Sequence, residues 1–425
     1  MKRLIIGVFV LGFLPMLAFA QFTVNAELRP RAEIRKGYKA LPDSLSVPSS
    51  IISQRTRIGF IYQKDWLKTS VTIQDARIWG DENTFNSTGV YGDTASIDLY
   101  EGWVELSFFE HSSIKIGRQS FDYDDTRLLS NRNWPQTGIS YDAILYRYAK
   151  ESWNLDAAVS LNNKVDNTFG NNYPSAKMKT LNFIRIAKKI NPDLLVSVTG
   201  IGSGYTAGNK TENIYMRGSY GVFANYKKSP LNLWTSFYYQ NGKNSKGVDV
   251  NAWNWNVYGD YTINKLGLNA GLSMLSGDKT SGSNEKDELF DLLYGNRHRY
   301  YGLMDYFSNL PKGTANGGLV DVFAGINYQI TEKTKLSADY HYFALQQTMV
   351  NIEDVNTKLN SQLASEIDLS FRTNFSKVVY LEGGYSMIMP TSSLEIIQGV
   401  GDGNSKFAYW GWLMLTVKPE IFSSK

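Results

Sequence analysis

The sequence predicts an all-β fold, a transmembrane antiparallel up-and-down β-barrel of about 18 strands. Three observations predict it: an export leader, long segments of strict two-residue alternation, and connections that alternate between tight turns and long polar loops.

The leader comes first. Lys2 and Arg3 precede an apolar run from Leu4 to Leu17, then Ala18-Phe19-Ala20 and Gln21. A positive start, a short apolar stretch and a small-x-small cleavage site make a secretory signal peptide. About fourteen apolar residues are too few for the ~20 that a spanning helix needs. Residues 1–20 are therefore read as the signal peptide and 21–425 as one outer-membrane barrel. The chain contains no cysteine, which excludes a lipid-modified N-terminus, disulfides and cysteine-based metal or redox chemistry.

Strand 1 shows the period. Phe22, Val24, Ala26, Leu28, Pro30, Ala32 and Ile34 alternate with Thr23, Asn25, Glu27, Arg29, Arg31, Glu33 and Arg35. Pro30 cannot donate to a ladder, so a bulge is expected there. Similar alternation runs through Trp253–Ile263, Lys335–Ala344 and Leu363–Phe375.

The connections decide the class. Tight links fall at Lys64-Asp65-Trp66, Glu110-His111-Ser112, Asn191-Pro192-Asp193, Ser229-Pro230, Asn264-Lys265, Thr331-Glu332-Lys333 and Ser376-Lys377. Long polar stretches fall near 37–50, 80–95, 122–138, 162–177, 203–213, 241–249, 277–316, 347–361 and 390–405. Short periplasmic turns and long extracellular loops have this rhythm. Tryptophans near strand ends (Trp66, Trp103, Trp153, Trp234, Trp253, Trp410, Trp412) read as interfacial girdles. Mean hydropathy is negative despite 27 Tyr and 10 Trp, and only helices and closed barrels satisfy a backbone in lipid.

Charge excludes some functions. The 44 Lys and Arg nearly balance the 40 Asp and Glu, so nothing points to nucleic acid. Only His111, His298 and His341 exist, there is no G-x-S-x-G elbow, and Gly200–Gly204 has no helix after it. Enzyme chemistry is not expected, and no cofactor or metal is. Asp278, Glu285, Asp287 and Glu288 read as a solvated acidic loop. Strand 1 follows the leader directly, which leaves no plug domain of a TonB-dependent receptor.

Two longer motifs carry a resemblance. One is Lys115-Ile116-Gly117-Arg118-Gln119 with Tyr123-Asp124-Asp125-Thr126-Arg127-Leu128-Leu129 and Asn133-Trp134-Pro135-Gln136-Thr137-Gly138. The other is Phe290-Asp291-Leu292-Leu293-Tyr294-Gly295 with His298, Tyr301-Gly302 and Asp305-Tyr306-Phe307. Together with Gln54–Arg57 and Gln74–Arg77 they resemble the alginate-export family of outer-membrane proteins. The Asn- and Tyr-rich loops look like those of its Bacteroidetes-type members. The resemblance implies a monomeric eighteen-stranded barrel that passes an anionic polysaccharide outward through an arginine-lined constriction.

The lumen can be read from physics as well. An arginine facing lipid costs ~2–4 kcal/mol near the midplane, so the charged parity of strand 1 faces inward. The pore-lining candidates are Arg29, Arg31, Arg55, Arg57, Arg77, Arg118 and Arg147, with Glu101 and Glu105. Arg185 and Arg217 belong to the same wall, and Asp124, Asp125, Arg127 and His298 are the candidate loop motif. Val71 and Ile73 share the parity of Arg77, so a bulge or strand end must intervene there. Arginine forks bind carboxylates bidentately; equally, these residues could pair with Glu27, Glu33, Asp75, Glu101 and Glu105 to brace the wall. Later strands supply Asp260, Asp321, Asp339, Glu366, Asp368 and Glu382, so a basic wall faces an acidic one, as in diffusion porins. Leu289–Phe307 is apolar enough to fold inward or cap the mouth. The expected partners are outer-membrane lipid and lipopolysaccharide, a small or polymeric acidic sugar, and a periplasmic scaffold on the short turns. A general diffusion porin and a structural or adhesion barrel are the alternatives.

Overall fold

The computed structural model describes residues 20–80, 84–85, 91–92, 97–170, 173–174, 177–207, 210–278 and 286–424. The leader assigned to residues 1–20 lies outside them, except for Ala20.

Eighteen long strands follow in chain order. They are β1 (Gln21–Lys36), β2 (Ser49–Lys64), β3 (Leu67–Ile78), β4 (Ile97–Phe109), β5 (Ser112–Gln119), β6 (Tyr141–Lys150), β7 (Trp153–Leu161), β8 (Met178–Asn191) and β9 (Leu194–Ala207). Then come β10 (Lys210–Lys228), β11 (Leu231–Lys243), β12 (Asp249–Ile263), β13 (Leu266–Leu275), β14 (Leu319–Gln329), β15 (Thr334–Ala344), β16 (Gln362–Asn374), β17 (Val379–Pro390) and β18 (Ala408–Val417), which Glu420–Ser423 continues. Each pairs antiparallel with its chain neighbours. The sheet closes on itself because β1 pairs with both β2 and β18, with Ile34 opposite Gly411.

The two-residue period drives closure. Phe22, Leu28 and Ile34 of β1 project outward and stay exposed, while Glu27, Arg29, Arg31 and Glu33 are buried inside. Pro30 makes no bulge: β1 keeps its register with β2 through Pro30 opposite Gln54, and its ladder to β18 skips Arg29 and Pro30 without a shift. The irregularity lies lower, between Val24 and Asn25, where Lys418-Pro419 interrupts the last strand.

The seven tight links lie where they were expected. An eighth turns at Glu151-Ser152, where no Gly, Pro or Asn announces it; Glu151 takes a φ of +52°. The stretch 203–213 is mostly strand, because β9 runs to Ala207 and β10 begins at Lys210. Polar and glycine residues there continue the ladder beyond the length that membrane thickness requires.

The girdle holds for Trp66 and Trp153, which are exposed on the outside near periplasmic turns, and Trp66 stacks on Phe108 at 5.2 Å. Trp253 shares the outward parity of Trp255. Trp103, Trp234, Trp410 and Trp412 instead take the inward parity. Position near a strand end does not fix facing; parity does.

The buried core is inside the barrel. Leu128, Leu129, Leu292, Leu293, Met304, Phe307 and Leu310 of the loops cluster with Leu319, Phe343, Leu363 and Trp410 of the wall. Removing side chains such as Phe307 and Met304 from water contributes about 1.5–3 kcal/mol each. That gain is what folds the loops inward. The short helices α1 (Leu310–Thr314) and α2 (Ser392–Ile397) lie in two of these loops.

Candidate functional site

Two loops cross the lumen. The first, residues 120–140 between β5 and β6, is gripped at both ends of a diameter. At β1, Arg29 donates through Nη1 to the Asn133 carbonyl at 2.8 Å and through Nη2 to those of Trp134 and Pro135 at 3.2 Å. Its Nε donates to Gln136 Oε1 at 3.1 Å. Arg31 Nη1 donates to the Trp134 carbonyl at 3.0 Å, and its guanidinium lies 4.2 Å from the Trp134 ring. Arg55 of β2 bonds Glu27 through Nε at 2.8 Å and Asn133 Oδ1 through Nη2 at 2.9 Å. Arg57 stacks over Tyr100 at 3.4 Å and reaches the Thr137 carbonyl at 3.2 Å.

On the far side, Arg185 of β8 clamps Asp124 at 2.6 Å, and Tyr238 of β11 donates to Asp125 at 2.6 Å. Arg127 donates to Tyr301 at 2.6 Å and to Ser273 of β13 at 2.8 Å, with the Tyr300 ring 3.7 Å from its guanidinium. In a closed barrel of eighteen strands, β1 and β10 stand opposite each other. The loop therefore spans the pore.

The second loop, residues 286–318, is held by the acidic wall. Glu366 of β16 accepts the Met304 N–H at 2.7 Å, and Asp368 accepts the Leu303 N–H at 3.2 Å. Asp305 takes Tyr38 Oη–H at 2.6 Å and sits 2.9 Å from His298 Nδ1. Asp291 is paired with Arg217 of β10, and Tyr294 donates to Ser203 of β9 at 3.2 Å. His341 is fixed by Asp321 at 2.9 Å and Phe343 packs on Phe307 at 4.5 Å. Hydrogen bonds with a charged partner contribute about 1.5–3 kcal/mol each, so these anchors are strong.

The loops also hold each other. Arg132 donates to the carbonyls of Leu293 at 2.6 Å and Gly295 at 2.8 Å, and Asn296 N–H donates to the Thr126 carbonyl at 2.8 Å. Trp134 and His298 stack with their rings 4.1 Å apart.

The structure brings Arg29, Arg31, Arg55, Arg57, Asp124, Asp125, Arg127 and His298 into this one assembly. Arg147 and Glu105 also face inward, lower on the wall, with Arg147 3.5 Å from Asp156 and 3.7 Å from Glu105, while Glu101 faces inward beside the start of the first loop and accepts the Ser120 N–H at 3.0 Å. Two candidates do not belong. Arg118 shares the parity of Ile114 and Ile116, faces outward and pairs with Asp142 at 2.9 Å. Arg77 is outward too, beside Asp75 at 2.7 Å, since the inward residues of β3 are Ser70, Gln74 and their parity. Both sit at the loop end of their strands, where a charge need not enter the hydrocarbon and the midplane cost does not apply. Sequence reasoning missed Arg132 and Tyr38 and named Trp134 and Asp305 only as parts of the family motifs, because their roles depend on loops meeting in space. The apolar run Leu289–Phe307 was the visible sign of an inward-folded loop. Asp278 accepts the Glu288 N–H at 2.8 Å, and no metal-ligating group of acids or histidines occurs among the described residues.

A family model described as alginate export matches residues 21–390. The chain belongs to the alginate-export family. No curated protein sequence matches it. Among solved structures it is similar to OccAB1 of Acinetobacter baumannii, at 11% identity and a TM-score of 0.63, covering 94% of this chain and 97% of that one. OccAB4 of the same organism gives 11% identity and 0.60, with 95% and 98% covered. OpdK of Pseudomonas aeruginosa, solved with vanillate, gives 11% and 0.58, with 94% and 98% covered. At such identities the likeness is one of fold. This alginate-export family member is an outer-membrane β-barrel channel, not an enzyme.

Proposed function

We propose that this alginate-export family barrel conducts polar solutes with a preference for anions, and that its eyelet is bounded by the two crossing loops. The observation that carries the reading is the gathering of Arg29, Arg31, Arg55 and Arg57 on the inward faces of two adjacent strands, while the Glu366 and Asp368 carboxylates of β16 are buried against the second loop. Arg29 and Arg55 are buried in the loop anchor. Arg57 is less enclosed and stands where a passing carboxylate can meet its guanidinium, and Arg35, whose fork is closed on Glu33 at 2.7 Å, adds positive charge nearby. A row of such sites, each weak, lets an anion enter and leave. OpdK, of similar fold, was solved with vanillate, a carboxylate. Passage of an acidic sugar fits the same chemistry.

Planar-bilayer recording tests the reading. The native barrel should conduct with a reversal potential on the anion side, and an Arg35→Ser/Arg57→Ser variant should move it toward cations. Oligouronates should block the current better than neutral oligosaccharides. Cation selectivity in the native protein, or block by neutral sugars alone, contradicts the proposal.

A further inference from the structure

We infer that the extracellular side of the second loop holds a separate binding site for one neutral sugar ring. The site is a cavity of about 220 Å³ between β10 and residues 286–318, lined by Arg217, Asp287, Phe290, Asp291, Arg297 and Asn309 among others. Arg217 lies near the loop end of β10, opposite Gly242 of β11 in the ladder, so the cavity sits at the mouth rather than in the eyelet.

Two unpartnered donors mark it. Arg217 is 4% exposed, pairs with Asp291 and stands 3.8 Å from Asp287, yet its Nε–H is buried with no acceptor. Arg297 donates through Nη1 to the Ser308 carbonyl and through Nη2 to that of Leu293, both at 3.1 Å, and its Nε–H is likewise buried without an acceptor. A buried donor without a partner costs about 1–3 kcal/mol, so an acceptor that reaches either one is favoured. The space is many times the ~10–15 Å³ that a single bridging water needs, so it admits something larger than one water.

Charge selects the ligand. Two guanidiniums and two carboxylates cancel, and an anion entering would meet Asp287 and Asp291. Fixed carboxylates accept from hydroxyls, the exposed Asn309 amide can donate and accept, and the exposed Pro311 ring supplies an apolar surface for the C–H face of a ring. A neutral hexose, free or at the end of a glycan, combines these features. This site is independent of the anion preference proposed for the eyelet, though it rests on the same barrel.

The test is equilibrium binding of glucose and of glucuronate to the purified full-length barrel, read by saturation-transfer NMR, alongside bilayer conductance. Glucose should bind with half-saturation on the order of 1–10 mM. Glucuronate should bind at least about fivefold more weakly, which is about 1 kcal/mol. Arg297→Lys, which keeps the charge and removes the Nε–H, should weaken glucose binding about fivefold or more. Asn309→Trp, at an exposed lining position, should fill the cavity and abolish it. Retained heat-modifiable gel mobility confirms that each variant is folded. A conducting barrel with no saturable glucose binding, glucuronate binding as tightly as glucose, or an Asn309→Trp variant that binds like the native protein overturns the site. A barrel that binds glucose yet conducts nothing overturns the channel reading and leaves this site standing.

Discussion

Trp134 and His298, 164 positions apart in the chain, lie face to face with ring centroids 4.1 Å apart and planes 15° from parallel. One belongs to the loop anchored on the basic wall and the other to the loop anchored on the acidic wall. Arg31 covers Trp134, and Trp410 and Trp412 meet it edge-on at 5.7 and 5.0 Å. Replacing Trp134 by Ala removes the stack and the cation–π contact together, a loss of about 1–3 kcal/mol to the joint between the loops. Single-channel recordings should show larger and noisier openings, with the barrel itself still resistant to cold detergent. Unchanged, quiet openings would count against the joint.

Gly302 tests the acidic-wall anchor. Its φ is +78°, and a Cβ there would come within 2.5 Å of the Glu366 carboxylate that holds Met304. Gly399 has a similar φ of +73° with nothing within 4 Å of its Cβ position. Both Ala variants pay the left-handed backbone cost of about 1 kcal/mol, but only Gly302→Ala should also displace the carboxylate. Limited proteolysis should therefore cut the 286–318 loop of Gly302→Ala faster than that of Gly399→Ala. Equal rates would mean that Glu366 does not hold this loop.

Acid should release the same loop. Burial alone raises the pKa of Asp305, but His298, Tyr38 and Lys39 outweigh it and hold the carboxyl below its ordinary value of 3.8. A lowered pKa in the folded state stabilises above the unfolded value and loses that contribution as pH falls through the folded one. The clamp should thus hold at pH 5 and weaken below about pH 4. Conductance measured against pH on the loop side should rise in that window, and Asp305→Asn should show the open behaviour already at neutral pH. A native conductance that stays flat down to pH 3 contradicts this.

The outward arginines give a contrast with the lumenal ones. Arg118 pairs with Asp142 on the outer face, whereas Arg57 faces the pore. Arg118→Ser should leave the reversal potential where it is, and Arg57→Ser should shift it toward cations. A shift of similar size in both would place Arg118 in the lumen after all.

Much of this was legible in the chain because lipid enforces a simple rule. A fourteen-residue alternation such as Phe22–Arg35 admits one facing, so β1, its arginines and the inward set of β15 could be read directly. The turn at Glu151 was invisible because an ordinary residue takes the left-handed conformation. Arg77 and Arg118 misled because the rule against outward charge weakens near the strand ends, where Asp75 and Asp142 neutralise them. The apolar run Leu289–Phe307 announced an inward fold, yet nothing local could say that it meets Glu366, Tyr38 and Trp134. Those contacts span up to 269 residues, as in the bond from Tyr306 Oη–H to the Gly37 carbonyl, and come from barrel closure, not from local pattern.

The buried arginines of β1 and β2 hold a loop across the lumen, which predicts the opposite behaviour from a simple arginine-lined pore. The deciding measurement is the single-channel conductance of an Arg29→Ser/Arg55→Ser variant in symmetric salt. Losing the carbonyl anchors at Asn133–Pro135 should free the 120–140 loop and raise the conductance severalfold, to values that fluctuate within each opening. A conductance equal to or below that of the native barrel, with only the ion preference altered, would mean that Arg29 and Arg55 do not hold the loop across the pore.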